Sequence, residues 1–370
     1  MSKCANLKKK ERVSGGSMSS WKVLSPLSDD IDAPTQSLLG LAALAAELAT
    51  EGVSVKDLFA RTGVQPSQLE DPHARISRRQ RLAIYRNAVA LAKRSDIGLL
   101  AGARQRISDY GIYGYAIVSS PTFGEGLKFS VEHITMAGST VPQISLNVEN
   151  DIAILRSHGT QLLGQLLPFV AEFWRSSMTA LFSRVLEVPF PSTRMLFPFP
   201  APRHWRNYER MFNCPIEFGA GSMEWHFPAH VLNRRCPNAN PITAQVCQQF
   251  CDVVLAERPG ETELVRRIRT ACLNSPRRFP PAEDIAEQLG LSLRTLHRRL
   301  AQEGISYQSV LDNMRRSIAT EFLENTQLMI DEVAERVGFA DATSFRKAFR
   351  KWTGHSPTHY RRANPAIPQA

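Results

Sequence analysis

The sequence predicts a mainly α-helical protein: an α+β N-terminal domain, then an all-α C-terminal domain in which two helix-turn-helix units are joined by a linker helix. Three observations predict it. A pattern of small and apolar residues recurs 48 positions later near the C-terminus. A run with helical spacing separates the two copies. Upstream, helical runs are interrupted by three alternating stretches, the last punctuated by prolines.

The first copy opens with EDIAEQLGLS, where Ile285, Ala286, Leu289, Gly290 and Leu291 supply packing positions, a small residue for a close helix crossing and a glycine for a left-handed turn. SLRTLHRRLA follows. Leu296 and Leu300 lie one helical turn apart and share a face. Ser292 stands where an N-cap belongs, and Arg294, His297 and Arg298 share the opposite face. In the second copy, MIDEVAERVGFADATSFRKAFRKW, Val333, Ala334, Val337, Gly338 and Phe339 repeat the five positions at an offset of 48. Leu296 recurs as Phe345 at an offset of 49, because the second turn is one residue longer. Phe345, Phe349 and Trp352 make the buried stripe, and Thr343, Arg346, Lys347 and Arg350 the exposed face. The units span 283–304 and 331–354. A single basic helix face is ordinary solvated surface; two in register, with no acidic residue over 292–300 or 342–362, point to a polyanion. Between them, Ser306–Leu323 carries Val310, Leu311, Met314, Ile318 and Phe322 at helical spacing, which predicts one long spacer helix.

After the second copy comes Gly354-His355-Ser356-Pro357-Thr358-His359-Tyr360-Arg361. The stretch GFADATSFRKAFRKWTGHSPTHYR resembles the C-terminal signature of the AraC/XylS family of bacterial transcription regulators, and the resemblance covers residues 262–362. It implies double-stranded promoter or operator DNA as partner, with RNA polymerase as a further one. Two recognition helices would lie in successive major grooves, about 34 Å apart. Arg294 and Arg298 are then placed for base edges, where Arg pairs bidentately with guanine, and His297 within reach of phosphate. Thr343, Arg346 and Lys347 occupy the equivalent face of the second unit. Arg350, Lys351, Arg361 and Arg362 are placed for phosphates. These exposed positions vary from the family pattern, so the target sequence is not inherited from relatives.

Residues 1–36 are polar and broken by Gly, Ser and Pro, and are expected to be disordered. Lys8-Lys9-Lys10 precedes no apolar h-region, which excludes a signal peptide, and Met18 is a second candidate start. Leu38–Ala49 is apolar for twelve residues, too short to cross a bilayer, and reads as a buried helix. Val53–Thr62 and Gln80–Lys93 read as helices. VSVKDLFARTGVQPSQL has a helix-turn-helix rhythm without a basic face, so it reads as packing. Gly111–Tyr115 is helical, and a further helix runs to about Met136. Gln143–Glu149 and Asp151–His158 alternate as strands. Leu162–Val185 reads as one long apolar helix, the Pro-punctuated run Pro189–Pro202 as a further alternating stretch, and Ile242–Ala256 as the closing helix. A short linker follows at 257–261, and 363–370 is a tail.

The block 208–241, with Tyr208, Phe212, Cys214-Pro215, Phe218, Gly219-Ala220, Phe227-Pro228, Leu232 and Pro241, together with SSPTFGEGL upstream, resembles the arabinose-binding-like effector domain of one branch of the same family. That resemblance spans 38–256 and implies a small-molecule effector, homodimerisation through this domain, or both. Arg194, His204 and Trp174 stand in apolar surroundings and read as packing.

The 370 residues are 43% apolar and 22% charged, with a net charge of +10. That charge favours a polyanionic partner without separating nucleic acid from membrane surface; no apolar run is long enough to span a membrane. The six cysteines (Cys4, Cys214, Cys236, Cys247, Cys251 and Cys272) are scattered, which suits free thiols in a reducing cytoplasm. Cys247 and Cys251 lack the further ligands a zinc site needs, so no metal or cofactor is expected. P-loop, dinucleotide, nucleophile-elbow and H-E-x-x-H patterns are missing, and the protein reads as a non-enzyme. Two alternatives stay open: a DNA-repair alkyltransfer protein with a nucleophilic cysteine, for which Cys272 lacks a His partner, and a ligand-independent dimeric DNA-binding regulator.

Overall fold

The computed structural model describes residues 21–24, 31–71, 73–138, 143–256, 262–274 and 279–363. The N-terminal domain runs β1 (Trp21–Leu24), β2 (Gln36–Ser37), α1 (Leu41–Ala49), α2 (Val55–Leu58), β3 (Arg75–Ile76), α3 (Arg78–Leu91), α4 (Ile97–Ala103), α5 (Gly111–Val118), α6 (Phe123–Glu132), β4 (Gln143–Glu149), β5 (Ile152–His158), α7 (Leu167–Leu186), β6 (Arg194–Phe197), α8 (Arg206–Phe212), β7 (Ile216–Phe218), β8 (Met223–Pro228) and α9 (Pro241–Ala256). The C-terminal domain is wholly helical: α10 (Glu263–Asn274), α11 (Ala282–Gln288), α12 (Leu293–Gln302), α13 (Tyr307–Asn325), α14 (Ile330–Arg336), α15 (Ala342–Thr353) and α16 (Pro357–Ala363). This is the mainly α architecture, α+β then all-α, that the sequence patterns predict.

Six strands form one sheet in the order β1-β4-β5-β8-β6-β7, antiparallel except for the β6–β7 pair. Asn150 and Asp151, both at positive φ, make the two-residue turn between β4 and β5, the primed geometry whose twist suits a hairpin. The sheet buries Trp225 among Phe182, Phe190 and Phe227. Helix α7 crosses α4 closely enough that a Cβ on Gly102 would stand 1.8 Å from Ser176 Oγ. The small residues of IGLLAGA are therefore a packing requirement.

Three expectations need correction. Disorder over 1–36 does not hold throughout: Trp21–Leu24 pairs antiparallel with β4, from Trp21 opposite Leu146 to Leu24 opposite Gln143, and Ile31 and Gln36 are buried. A backbone ladder against an open sheet edge needs no hydrophobic composition around it. The rest of that disorder expectation, and the Met18 question, lie outside the described residues, as do the 257–261 linker and the tail beyond 363. Leu162–Val185 is not one helix: a 3-10 segment, Thr160–Leu166, breaks at Gly164 (φ 49°) before α7 begins beside Pro168. The helix expected over Val53–Thr62 is the four residues of α2.

The two C-terminal units have separate cores that share α13. Leu264, Ile268, Ile285, Leu296, Leu300 and Val310 fill the first. Phe322, Leu323, Val333, Val337, Phe345 and Phe349 fill the second, which also takes in Leu162 from the N-terminal domain. The second unit is thus completed from outside its own sequence. Gly164 sits so close to this seam that a Cβ there would lie 1.5 Å from the Asn325 carbonyl oxygen.

Candidate nucleic-acid interface and effector cavity

The two turns are built alike. Gly290 (φ 66°) and Gly338 (φ 80°) occupy the left-handed position. Leu291 donates to the Ala286 carbonyl at 2.9 Å, and Phe339 to the Ala334 carbonyl at 3.0 Å. These are the same bonds 48 residues apart, a left-handed closure of the helix end. Each following helix is capped by its own side chain. Ser292 Oγ accepts from the Thr295 N–H at 3.2 Å, and Asp341 accepts from the Ser344 N–H at 2.7 Å and the Ser344 hydroxyl at 2.8 Å. The Ser344 donors hold the Asp341 carboxyl below its ordinary value, and a carboxylate at a helix N-terminus also suits the dipole.

Leu296 and Leu300 are buried under α12, while Arg294, His297, Arg298 and Arg299 are exposed. Phe345 and Phe349 are buried under α15, while Thr343, Arg346, Lys347, Arg350 and Lys351 are exposed. Arg346 leans back to Asp331 at 3.6 Å, with both groups in solvent, an ion pair too weak to hold it from a better anion. Arg361 differs from the rest: it is half-buried, two of its guanidinium nitrogens lack hydrogen-bond partners, and burial lowers its pKa. Arg362 is exposed beside it.

Two features here escaped the sequence reading. Arg299 adds a fourth exposed basic group on α12. Arg315 of α13, a polar position in a spacer helix, packs its guanidinium 4.8 Å from the Phe279 ring and 5.2 Å from the Phe339 ring. Phe279 precedes the first unit and Phe339 lies in the turn of the second. This cation–π sandwich, with Phe279 also against Gly338, fixes one unit on the other.

In the N-terminal domain a cavity of about 90 Å³ lies among α3, α5 and α7, lined by Arg81, Tyr85, Tyr110, Tyr113, Trp174 and Met178 among others. Trp174 therefore lines a cavity and is not only packing. Arg194 pairs with Glu217. His204 bonds through Nε2 to Glu172 Oε1 at 2.7 Å, and the Tyr208 hydroxyl donates to the same oxygen at 2.6 Å. That hydrogen bond raises His204, and burial raises Glu172.

Helix α3 lines this cavity and also grips α13. Arg78 donates from Nε and Nη2 to Glu321 at 2.5 and 2.9 Å, each side chain 1% exposed. Arg79 pairs with Glu324 and donates to the Tyr360 hydroxyl at 2.9 Å, and Tyr360 in turn donates to Glu324 at 2.7 Å. Arg86 donates to Asn325 Oδ1 at 2.5 Å. Burial lifts the Glu321 carboxyl above its ordinary value even with Arg78 alongside.

Among the described residues the five cysteines are free and buried. Burial pushes the Cys214 thiol up to about 11 and Cys251 up to about 12. Cys272 is buried with the Tyr307 hydroxyl 3.6 Å away, which is the wrong setting for an attacking thiolate. No group of three or more described His, Cys, Asp or Glu side chains is placed to hold a metal, and no described helix is long and apolar enough to cross a membrane.

Residues 52–236 match the family described as the arabinose-binding domain of AraC transcription regulator, N-term, and residues 285–363 match a helix-turn-helix domain. The chain is 35% identical over 319 residues to the ornithine utilization regulator of Pseudomonas aeruginosa, covering 85% of this chain and 93% of the relative. It is 28% identical over 288 residues to the transcriptional regulator VqsM of the same organism, covering 75% and 87%. The crystal structure of the transcriptional regulator CdpR from Pseudomonas aeruginosa, at 27% identity, covers 88% of this chain and 98% of that one with a TM-score of 0.45.

Proposed function

Because this chain belongs to the AraC family of DNA-binding transcription regulators, we propose that α12 and α15 read two successive major grooves and that a small molecule in the N-terminal cavity sets how well they do so. Arg294 and Arg298 reach base edges in the first groove, with His297 and Arg299 toward phosphate. Thr343, Arg346 and Lys347 take the equivalent places in the second. Arg350, Lys351 and Arg362 follow the backbone, and Arg361 joins them once it swings out of its half-buried seat. The Phe279–Arg315–Phe339 contact supports this reading, since two helices spaced for one turn of B-DNA must be held in fixed register.

The single observation that carries the regulatory part is the double duty of α3. Arg81 and Tyr85 line the cavity, while Arg78, Arg79 and Arg86 of the same helix hold the end of α13. A ligand that repositions α3 therefore acts on the helix that spaces the two reading units. The coupling is the difference in ligand affinity between DNA-competent and incompetent arrangements, typically 1–3 kcal/mol. The closing helix α9 carries Ile242, Val246 and Phe250 at intervals of four, exposed to 76%, 47% and 56%. We assign this apolar stripe to homodimerisation, and contact with RNA polymerase to the DNA-bound dimer. The proposal is regulatory, with no reaction, and places the protein in the cytoplasm, where buried free thiols stay reduced.

Genomic binding sites are mapped first, and metabolites of the adjoining pathways are then titrated with and without operator. Reciprocity requires operator to change ligand affinity by the factor that ligand changes operator affinity. Identical affinities in both states would leave a ligand-independent dimeric DNA-binding regulator.

A further inference from the structure

Among the described residues around the cavity none is acidic, and nearly all are apolar or aromatic. One of these described residues is a cation. Arg81 is 1% exposed and donates from Nε to Gln36 Oε1 at 2.8 Å, from Nη1 to the Tyr85 hydroxyl at 3.3 Å, and from Nη2 to the Ser37 carbonyl. All three acceptors are neutral. Of the other deeply buried arginines, Arg78 has Glu321, while Arg175 donates to neutral groups such as Ser157 Oγ at 3.1 Å, lies against the Trp174 ring at 4.8 Å and is lowered by burial to about 9. A guanidinium offers five N–H groups in a fixed fork, so two of those on Arg81 are left over after its three bonds. A buried charge with no counter-charge costs several kcal/mol. The backbone also makes room at this group: Gly138 (φ 73°) lies so near that a Cβ would fall 2.1 Å from Arg81 Nη2.

We propose that the cavity binds a small apolar carboxylic acid in its ionised form, the carboxylate pairing with Arg81 and the hydrocarbon lying among Tyr110, Tyr113, Trp174 and Met178. This rests on the effector reading above and names the ligand class for that same cavity. Arg81 supplies the counter-charge that carboxylates seek, in a low-dielectric wall where charged hydrogen bonds are strongest. The cavity, about 90 Å³, is well above the roughly 10–15 Å³ that one water needs and below the roughly 150 Å³ that admits benzene, so it takes a small acid, with some give in the walls for a longer one. An ammonium on the ligand finds no carboxylate among the described residues lining the cavity. The new bond uses the N–H groups left over while the same guanidinium holds Gln36 and Ser37, which are β2, so occupancy acts on the start of α3 beside Arg78.

Calorimetry on the full chain at neutral pH tests this with hexanoate and cyclohexanecarboxylate, their primary amides as neutral isosteres, and 6-aminohexanoate. The acids should bind about ten- to a hundredfold more tightly than the amides, the worth of hydrogen bonds to a charged group, and 6-aminohexanoate should give no heat. Arg81→Gln should bring acid and amide to within about threefold of each other. If that variant fails to fold, the wild-type comparison of acid with amide still decides, and Met178→Trp, which fills the cavity, should abolish acid binding. Amides that bind as tightly as acids overturn the carboxylate assignment, while the effector reading stands if they shift operator affinity. No binding by any acid at millimolar concentration also overturns it, and the metabolite titration with operator then judges the effector reading by itself.

Discussion

Removing the Glu321 carboxylate tests whether the two domains are energetically joined. Arg78 and Glu321 meet through two charged hydrogen bonds at 2.5 and 2.9 Å, with both side chains 1% exposed. Glu321→Ala leaves the guanidinium buried opposite a void. Breaking a buried pair from one side costs about 3–5 kcal/mol, because the remaining charge is uncompensated. Replacing both partners with apolar groups of similar volume, Arg78→Met with Glu321→Leu, is commonly neutral or stabilising. The raised Glu321 carboxyl agrees with this, since burial has not been fully repaid by Arg78. The expected pattern in urea unfolding of the full chain is a large loss for each single variant and a small one for the double variant. The coupling should exceed about 2 kcal/mol, within the range for contacting residues. Operator affinity should move by about fivefold or more in the single variants, the lower edge of typical allosteric coupling. Additive losses, or losses under about 1 kcal/mol, would show that the contact is solvated and bears nothing.

Four further outcomes follow from named contacts. Arg298→Ala should lower operator affinity by about 1–3 kcal/mol and relax preference at one base pair; an equal loss against every single-base variant of the site would reassign it to phosphate. Phe250→Asp should weaken the dimer in analytical ultracentrifugation while the helical circular dichroism is kept, and an unchanged dimer would move the interface off α9. Glu224 takes hydrogen bonds from Ser222, His226 and Arg156, which outweigh burial and hold its carboxyl down at about 2 against an ordinary 4.5. Its stabilisation is complete above 4.5 and is lost as pH falls towards 2, so Glu224→Gln should flatten the acid limb of the Tm–pH curve. A fragment from about Glu261 to Ala370 should bind DNA more weakly than the full chain, with faster amide exchange in the second unit than in the first; equal protection would mean that Leu162 and the α3 arginines add nothing.

The C-terminal half was legible because its devices are local. A glycine at Gly290 and Gly338, a capping side chain at Ser292 and Asp341, and leucines or phenylalanines one turn apart act within a few residues of themselves. Duplication then wrote the same rules twice. The N-terminal half was less legible because its devices act at a distance. Strand β1 needs only the open edge of β4, and β7 and β8, short and set in a block of prolines and aromatics, are strands through their neighbours in the sheet. The break at Gly164 lies against the Asn325 carbonyl of the other domain; Gly164 and Pro168 mark it locally, but the apolar run around them has helical rhythm throughout.

The same distinction explains why the residues that join the domains were missed. Four arginines in the nine residues RRQRLAIYR are ordinary in solvent, and the helical spacing read over Gln80–Lys93 says nothing of their partners. The structure sends them to different tasks: Arg78, Arg79 and Arg86 to α13, and Arg81 to the cavity. Glu321 and Glu324, likewise, look like the polar side of an amphipathic spacer. A charge is readable from sequence as a charge, but its burial depends on what packs over it. The consequence for function is specific. On the proposed reading, the exposed bases of α12 and α15 decide which DNA is read, and variation there would change the target without touching the fold. On the same proposal, the buried charges of α3 and α13 couple reading to the cavity, and a change in either partner alone would be felt as lost stability. Substitutions that alter regulation while sparing both the fold and the DNA target should therefore come as compensating pairs across the α3–α13 seam.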